Sequence, residues 1–427
     1  MSVPNVTFTE TILAKRPPLA TPRMGFSPDG NRVGWAARDD AGARIEINGV
    51  PVFTAEKVER IFFTPDSNHW IALTRCGAKW VVVFDGRASS EFDRVQNFVF
   101  SPGDDRLAFV GIRGTRQVAV IDGVESPEHD SVFGLTWGGD GRVLFAAYDG
   151  GSAQLVIDGA PAGQTYKTMS PPVVSRNGKS IATAVRRPDG RELVVVNGTE
   201  GGDHEKVVAV VMTLDGKHVA YAGYDDLARV YVDETPGAAY SGIGPIVFSP
   251  GGARMAYVVF AEEDEMFVVV DGAAELGHRR VDEVQFSPDG NRLLYVAADV
   301  SRSVVVVDSV EHGPFDAVTR NVLFSAESTR WTAVVKAGSQ QVVVVDGVSG
   351  QAYDAVEQPL LSADGAVVAY SAERSGSRLL VINETEFDEY TGELRVGGPP
   401  QLVNDRQLMF HILRDEEVVR VDAAIAV

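Results

Sequence analysis

Seven histidines, one cysteine and a periodic series of aspartates are the side chains of this 427-residue chain best equipped for chemistry. The histidines are His69, His129, His204, His218, His278, His312 and His411, and no two have the spacing of a metal-ligand pair. His129 and His204 stand where neighbouring segments carry Phe or Tyr, so they read as rings filling a packing slot. Cys76 lies beside Arg75 and Lys79, cations of the kind that lower a thiol pKa, but no motif ties a histidine to it. As the one cysteine, it leaves no intramolecular disulfide and no cysteine-based zinc cluster. The aspartates sit in Pro-Asp-Gly turns with one acid each, whereas a calcium loop needs several oxygen ligands on alternate residues. There is no phosphate-cradling GxxxxGK[ST], and the expectation is of no cofactor, no metal and no catalytic residue.

What positions these residues is a repeat. FSPDGNR occurs at 26–32 and again at 286–292. In the second copy a short strand ends at Gln285 and Phe286, and Pro288-Asp289-Gly290 supplies a tight turn. The apolar run Leu293 to Ala297 reads as a buried second strand and Val304 to Val307 as a β-branched third. Elsewhere the third strand ends in Asp-Gly or Asn-Gly, at 48–49, 85–86, 122–123, 158–159, 197–198, 271–272 and 346–347, a strong hairpin signal. A segment such as Phe92-Asp93-Arg94-Val95, His129-Asp130-Ser131-Val132, Phe315-Asp316-Ala317-Val318 or Tyr353-Asp354-Ala355-Val356 then reads as a fourth strand.

The residue before the turn marks the register: Phe26, Phe63, Phe100, Trp137, Val174, Met212, Phe248, Phe286, Phe324, Leu361 and Val403. The spacing stays near 37 residues until a final gap of 42. Antiparallel hairpins at an even period predict an all-β protein, a β-propeller of about eleven four-stranded antiparallel blades. The last unit supplies strands at 408–413 and 418–422 and lacks a fourth, which residues 3–12 can provide, closing the blade at 404–427. No linker interrupts the series, so residues 1–427 read as one domain, with a single closed ring favoured over two rings of five and six blades. The tryptophans, on or beside strands, read as packing between blades.

The net charge of −20 and pI near 4.8 disfavour nucleic acid and anionic membrane surfaces as partners. The amino terminus has no signal-peptide pattern and no run approaches 18 apolar residues, so a soluble cytoplasmic protein is expected.

The FSPDG turn, a strand such as RLLYVA and a third strand ending in Asp-Gly resemble the TolB-type, WD-like propeller repeats. Related repeats form the amino-terminal propellers of prolyl-oligopeptidase-like and tricorn-like proteases. The resemblance spans nearly the whole chain and implies a fold; its motif carries no chemistry. This sequence departs from those families in lacking the export signal and separate amino-terminal domain of a TolB protein, and in having no Gly-x-Ser-x-Gly. Its period is also shorter than the usual WD repeat.

Because strand direction alternates, both turn series lie on one face and the loops between second and third strands on the other. Those loops vary: Arg113 and Arg116 in one, Arg186, Arg187 and Arg191 in another, and Glu262, Glu263, Asp264 and Glu265 in a third. Such loops on a rigid scaffold are where binding residues concentrate. The reading is a non-catalytic scaffold that engages a protein partner through an electrically lopsided loop face. The alternative is an enzyme or small-ligand binder with its site in the central channel, built from one residue per repeat.

Overall fold

The computed structural model of the chain describes residues 5–16, 24–39, 42–103, 105–261, 265–319, 322–387 and 400–426. Among these residues there is no helix, and the strands form eleven antiparallel sheets, each a meander of four. The fold is an all-β propeller of eleven blades. Blades 1 to 11 begin at Gly25, Lys57, Arg94, Ser131, Thr168, Lys206, Gly242, Arg280, Ala317, Ala355 and Gln401. In blades 5, 9 and 10 the first strand is split into two short pieces. In blade 5 the break falls at Pro171-Pro172, where proline has no N–H for the ladder.

Two compact units can be distinguished: Met1–Ala55 with Arg60–Phe63 and His278–Val427, and Glu56–Glu59 with Thr64–Gly277. Within each, the core lies between successive blades. In the first, Leu294, Val296, Val305 and Val307 of blade 8 pack on Trp331, Ala333, Val335 and Val344 of blade 9. In the second, Ala108, Val110 and Ala119 of blade 3 pack on Val143, Phe145 and Val156 of blade 4. Each such Val or Leu stabilises the fold by about 1.5–3 kcal/mol, more than an exposed ion pair at about 0–1.

The turn between first and second strands is held by its own side chains. In blade 8 the Ser287 hydroxyl donates to Asp289 Oδ1 (2.5 Å) and accepts from the Arg292 N–H (3.0 Å), while Asp289 also accepts from the Asn291 N–H (3.1 Å). The Ser287 hydroxyl, then the Asn291 N–H, hold the Asp289 carboxyl down at about 2. A buried Ser or Thr recurs at this place as Ser27, Thr64, Ser101, Ser175, Thr213, Ser249, Ser325 and Ser362. Turn building accounts for these aspartates. The turn after the third strand needs positive φ at both central residues, as Asp122 (51°) and Gly123 (81°) show.

The basic residue after the first turn ties the two turns together and reaches the next blade. Arg106 donates to Asp122 (2.7 Å) and to the Gly141 carbonyl of blade 4 (3.0 Å); Arg330 donates to Asp346 (2.7 Å) and to the Gly365 carbonyl of blade 10 (3.2 Å). His69 and His218 stand in for this arginine, each bonded through Nδ1 to the turn aspartate, Asp85 at 2.5 Å and Asp233 at 2.6 Å.

The aromatic–acid–x–valine segments are crossovers, which corrects their reading as a fourth strand. The fourth strand of blade 8 is Val310–Phe315 and ends on the aromatic residue; Asp316 crosses, and Ala317–Val318 already belongs to blade 9. The acid has a backbone partner: Asp93 accepts from the Gly114 N–H (2.7 Å), Asp316 from Gly338 (2.6 Å) and Asp354 from Ser375 (2.7 Å). Each of those donors is in the turn between second and third strands of the blade the chain is entering.

Blade 11 is composite. Asn5–Lys15 pairs antiparallel with Glu417–Ala426, from Asn5 opposite Ala426 to Lys15 opposite Glu417, and 407–414 and 401–404 complete the sheet. Val6 and Phe8 pack on the core shared by blades 10 and 11. Buried His411 meets the Gly30 carbonyl through Nε2 (2.9 Å), tying blade 11 to blade 1.

Candidate interaction surface at the loop ends of blades 3 to 6

Four of the five candidate arginines of blades 3 and 5 occupy two structural positions, each used twice. Arg113 ends the second strand of blade 3, and Arg187 follows the second strand of blade 5 at the equivalent place. Arg113 forms a two-pronged pair with Glu125 of its own blade (2.7 and 2.6 Å) and lies 4.4 Å over the ring of Phe92 in blade 2. Arg187 pairs with Glu200 and Asp203, and Glu200 accepts from the hydroxyl of Tyr166 in blade 4 (2.8 Å). The Arg187 guanidinium, then the Tyr166 hydroxyl, lower the Glu200 pKa; burial and Glu200 push Tyr166 up to about 12. Arg374, Glu386 and Tyr353 repeat this clamp between blades 9 and 10. An aromatic residue of one blade is thereby fixed against an arginine–carboxylate pair of the next.

Arg116 and Arg191 precede or begin the third strand and reach forward to an aspartate of the following blade. Arg116 donates to Asp149 (3.3 Å) and to the Glu128 carbonyl (2.7 Å), and pairs with Asp130; Arg191 donates to Asp225 (3.2 Å) and to the Asp203 carbonyl (2.8 Å). The same two aspartates receive the histidines, His129 on Asp149 (2.6 Å) and His204 on Asp225 (2.9 Å). Burial raises the pKa of both acids, and the histidine and backbone hydrogen bonds outweigh it, so both end lowered. His204 also packs against Tyr231, with ring centroids 4.6 Å apart and planes tilted by 55°. Arg186 pairs with Glu192, which in turn accepts from the Val207 N–H of blade 6 (2.7 Å).

Together, five arginines lie among seven carboxylates, Glu125, Asp130, Asp149, Glu192, Glu200, Asp203 and Asp225. Asp130 and Asp149 are about half exposed, at 54% and 49%, against 38% for Arg116. Asp130, Asp149 and Asp225 are the most exposed charged groups of the array, whereas Glu125, Glu192 and Glu200 are more buried than the arginines they pair with. The third candidate loop adds Glu265, which is exposed; Glu262, Glu263 and Asp264 lie outside the described residues.

Cys76 is exposed, and Glu91 raises its thiol pKa, reversing the expectation drawn from Arg75 and Lys79. Those two cations are engaged elsewhere, Arg75 over Trp80 at 3.5 Å and Lys79 with Asp93 at 2.5 Å. Among the described residues no group of three or more metal-ligating side chains comes together. Trp35, Trp70 and Trp331 are buried in the core.

The four-stranded meander and its FSPDG turn decide the architecture. The chain is a β-propeller. No family model and no curated protein matches it. Among solved structures it is similar to a eukaryotic initiation factor, at 12% identity and a TM-score of 0.44, over 74% of this chain and 94% of that one. It is also similar to the Dos1 propeller, at 10% identity and a TM-score of 0.35, over 79% and 94%. The third is TolB from Acinetobacter baumannii, at 13% identity and a TM-score of 0.25, over 58% and 66%. At these identities the likeness is one of fold.

Proposed function

We propose that this protein is a non-catalytic scaffold that binds a protein partner through the loop ends of blades 3 to 6, and that the partner presents a cationic surface. The supporting observation is the array just described: carboxylates held in place by arginine, histidine and backbone donors, partly exposed and in excess over the cations. Charges fixed before binding need not be ordered on binding, which favours association. Electrostatic complementarity of this kind raises the association rate and selects partners, and weakens with salt beyond a Debye length of about 8–10 Å.

The test uses paired charge swaps, Arg113→Glu with Glu125→Arg and Arg187→Glu with Glu200→Arg, which keep each internal pair while inverting the pattern of charge. Partner binding, measured by surface plasmon resonance on a co-purified partner, is expected to fall at least about tenfold, while Lys217→Glu at the turn end leaves it unchanged. A partner that binds both swapped proteins like the parent, or that responds only to the turn-end change, overturns the assignment.

A further inference from the structure

A groove of about 340 Å³ opens between blades 4 and 5, towards their turn ends, within the size range of small-molecule sites, about 300–1,000 Å³. Leu155 and Ile157 of blade 4 form one wall, and Thr183, Val195 and Ile181 of blade 5 the other. Lys179 and Asn197 stand at its edge, with Arg142 beside them. Arg142 is held by Asp140 (2.6 Å) and by the Gly178 carbonyl (2.9 Å). Among the described residues the Lys179 ammonium has no carboxylate partner, so it supplies the local excess of positive charge.

The repeat explains why the groove is open. In blade 6, Tyr221 and Glu234 occupy the positions that Thr183 and Gly198 hold in blade 5, and they face blade 5. The Tyr221 hydroxyl donates to Glu234 (3.1 Å), and Glu234 accepts from the Gly202 N–H of blade 5 (2.7 Å). Blade 10 repeats the arrangement: Tyr370 donates to Glu384 (3.2 Å), and Glu384 accepts from the Gln351 N–H of blade 9 (3.0 Å). The tyrosine and glutamate together occupy part of the space and dock on the fourth strand of the preceding blade. In blade 5 both are missing: Thr183 is short, a Cβ at Gly198 would meet nothing within 4 Å, and Ala162 and Gly163 of blade 4 line the opening where that glutamate would dock. The equivalent groove between blades 9 and 10 is smaller, about 250 Å³, and has Asp346 and Glu384 in its lining. The groove between blades 4 and 5 is thus the larger of the two, and its lining includes Lys179 and Arg142 and no carboxylate, whereas that of the smaller groove includes Asp346 and Glu384.

We propose that the groove between blades 4 and 5 is a binding site for a small amphipathic carboxylate. The apolar body lies between Leu155, Ile157 and Val195, and the carboxylate meets the Lys179 ammonium and the Asn197 side-chain amide. An anion is selected locally by the exposed Lys179 ammonium, against the chain's net charge of −20, and a cationic or neutral ligand gains nothing from that lysine. Apolar contact supplies most of the affinity and the charge selects the headgroup.

The experiment is calorimetric titration of the full chain with octanoate, and with octanol and octylammonium as neutral and cationic controls. Octanoate is expected to bind at submillimolar concentration, at least about tenfold more tightly than either control. Thr183→Tyr with Gly198→Glu installs the blade 6 plug and is expected to abolish binding of octanoate. The non-glycine residues Glu234 and Glu384 have φ of 66° and 63° at the position of Gly198, so the turn accepts a side chain there. Lys179→Glu is on the surface and spares the core; it is expected to weaken octanoate about tenfold while leaving octanol unchanged. Absence of octanoate binding at millimolar concentration, equal binding of octanol or octylammonium, or octanoate binding that survives both the plug and Lys179→Glu would overturn the proposal.

Discussion

The two ends of the blades are built from the same strands under different constraints. At the turn end, closing two tight turns demands a particular set of groups: a serine or threonine hydroxyl, an Asx side chain, positive-φ residues and a basic side chain to join the turns. The set therefore recurs in most blades, with histidine for arginine at His69 and His218, although Ser180 and Val367 replace the basic residue in blades 5 and 10. At the loop end, the backbone demands only that the crossover acid cap a turn N–H, as Asp93, Asp316 and Asp354 do. The remaining side chains are free to vary, and two solutions for joining blades occur, the aromatic–arginine–glutamate clamp and the histidine–arginine pair on an aspartate. A constrained end carries architecture, and a less constrained end can carry recognition.

The largest expected effect ignores that difference, because removing residues 1–15 takes the outer strand from both ends of blade 11 at once. Losing Val6 and Phe8 from the core costs about 3–6 kcal/mol at about 1.5–3 for each side chain. Urea unfolding of the truncated chain should show a correspondingly lower midpoint; an unchanged midpoint would mean that the pairing with 417–426 contributes little.

Acid titration should separate a central tie from the rim carboxylates. Burial lowers the His411 pKa below its usual 6.5, while the Gly30 carbonyl opposes this. The unfolded chain then binds the proton more readily than the folded one, so stability is lost as pH falls below about 6.5. The carboxylates with lowered pKa, Asp289, Glu125, Glu200, Asp149 and Asp225, contribute stability above about pH 4, and it is lost as pH falls through their folded values, about 2 for Asp289. Melting curves of His411→Gln should lose the slope between pH 7 and 5 and keep the fall below pH 4. A slope near neutrality unchanged by that substitution would assign it to other groups.

A single-site pair sharpens the contrast between the ends. Glu200→Ala at the loop end leaves Tyr166 and Arg187 without their shared acceptor and should cost about 1–2 kcal/mol, with the Tyr166 hydroxyl titrating at a lower pH than in the parent. Ser287→Ala at the turn end removes one hydroxyl that both donates and accepts and should cost about 1 kcal/mol. Chemical denaturation measures both. A Ser287 effect far larger than that of Glu200 would mean that turn closure, and not inter-blade clamping, limits stability.

The architecture was legible in the sequence because its signals are local. Asp-Gly at 122–123 forces a positive-φ turn, and FSPDG at 286–290 contains its own hydrogen-bonding groups, so the repeat and the eleven blades follow from spacing. The fourth strand was misplaced because Phe315 and Val318 are close in sequence but belong to different blades, and only the pairing of Val310–Phe315 reveals it. The loop-end arginines were visible as residues, but their partners were not. Glu125 lies twelve residues from Arg113 in the same blade, and Asp149 thirty-three from Arg116 in the next, so neither pairing can be read from local pattern. The groove between blades 4 and 5 depends on comparing Thr183 and Gly198 with Tyr221 and Glu234 in register, and that register is set by strand pairing.

The most direct test of the loop-end assignment is zero-length carbodiimide crosslinking of the protein to its co-purified partner, which joins carboxylates to partner lysines. Crosslinks at Asp130, Asp149, Asp203 and Asp225, lost at high salt, are the predicted result. Crosslinks concentrated on turn-end acids such as Asp122, Asp271 and Asp308, or confined to partner carboxylates joined to lysines of this chain, would contradict it.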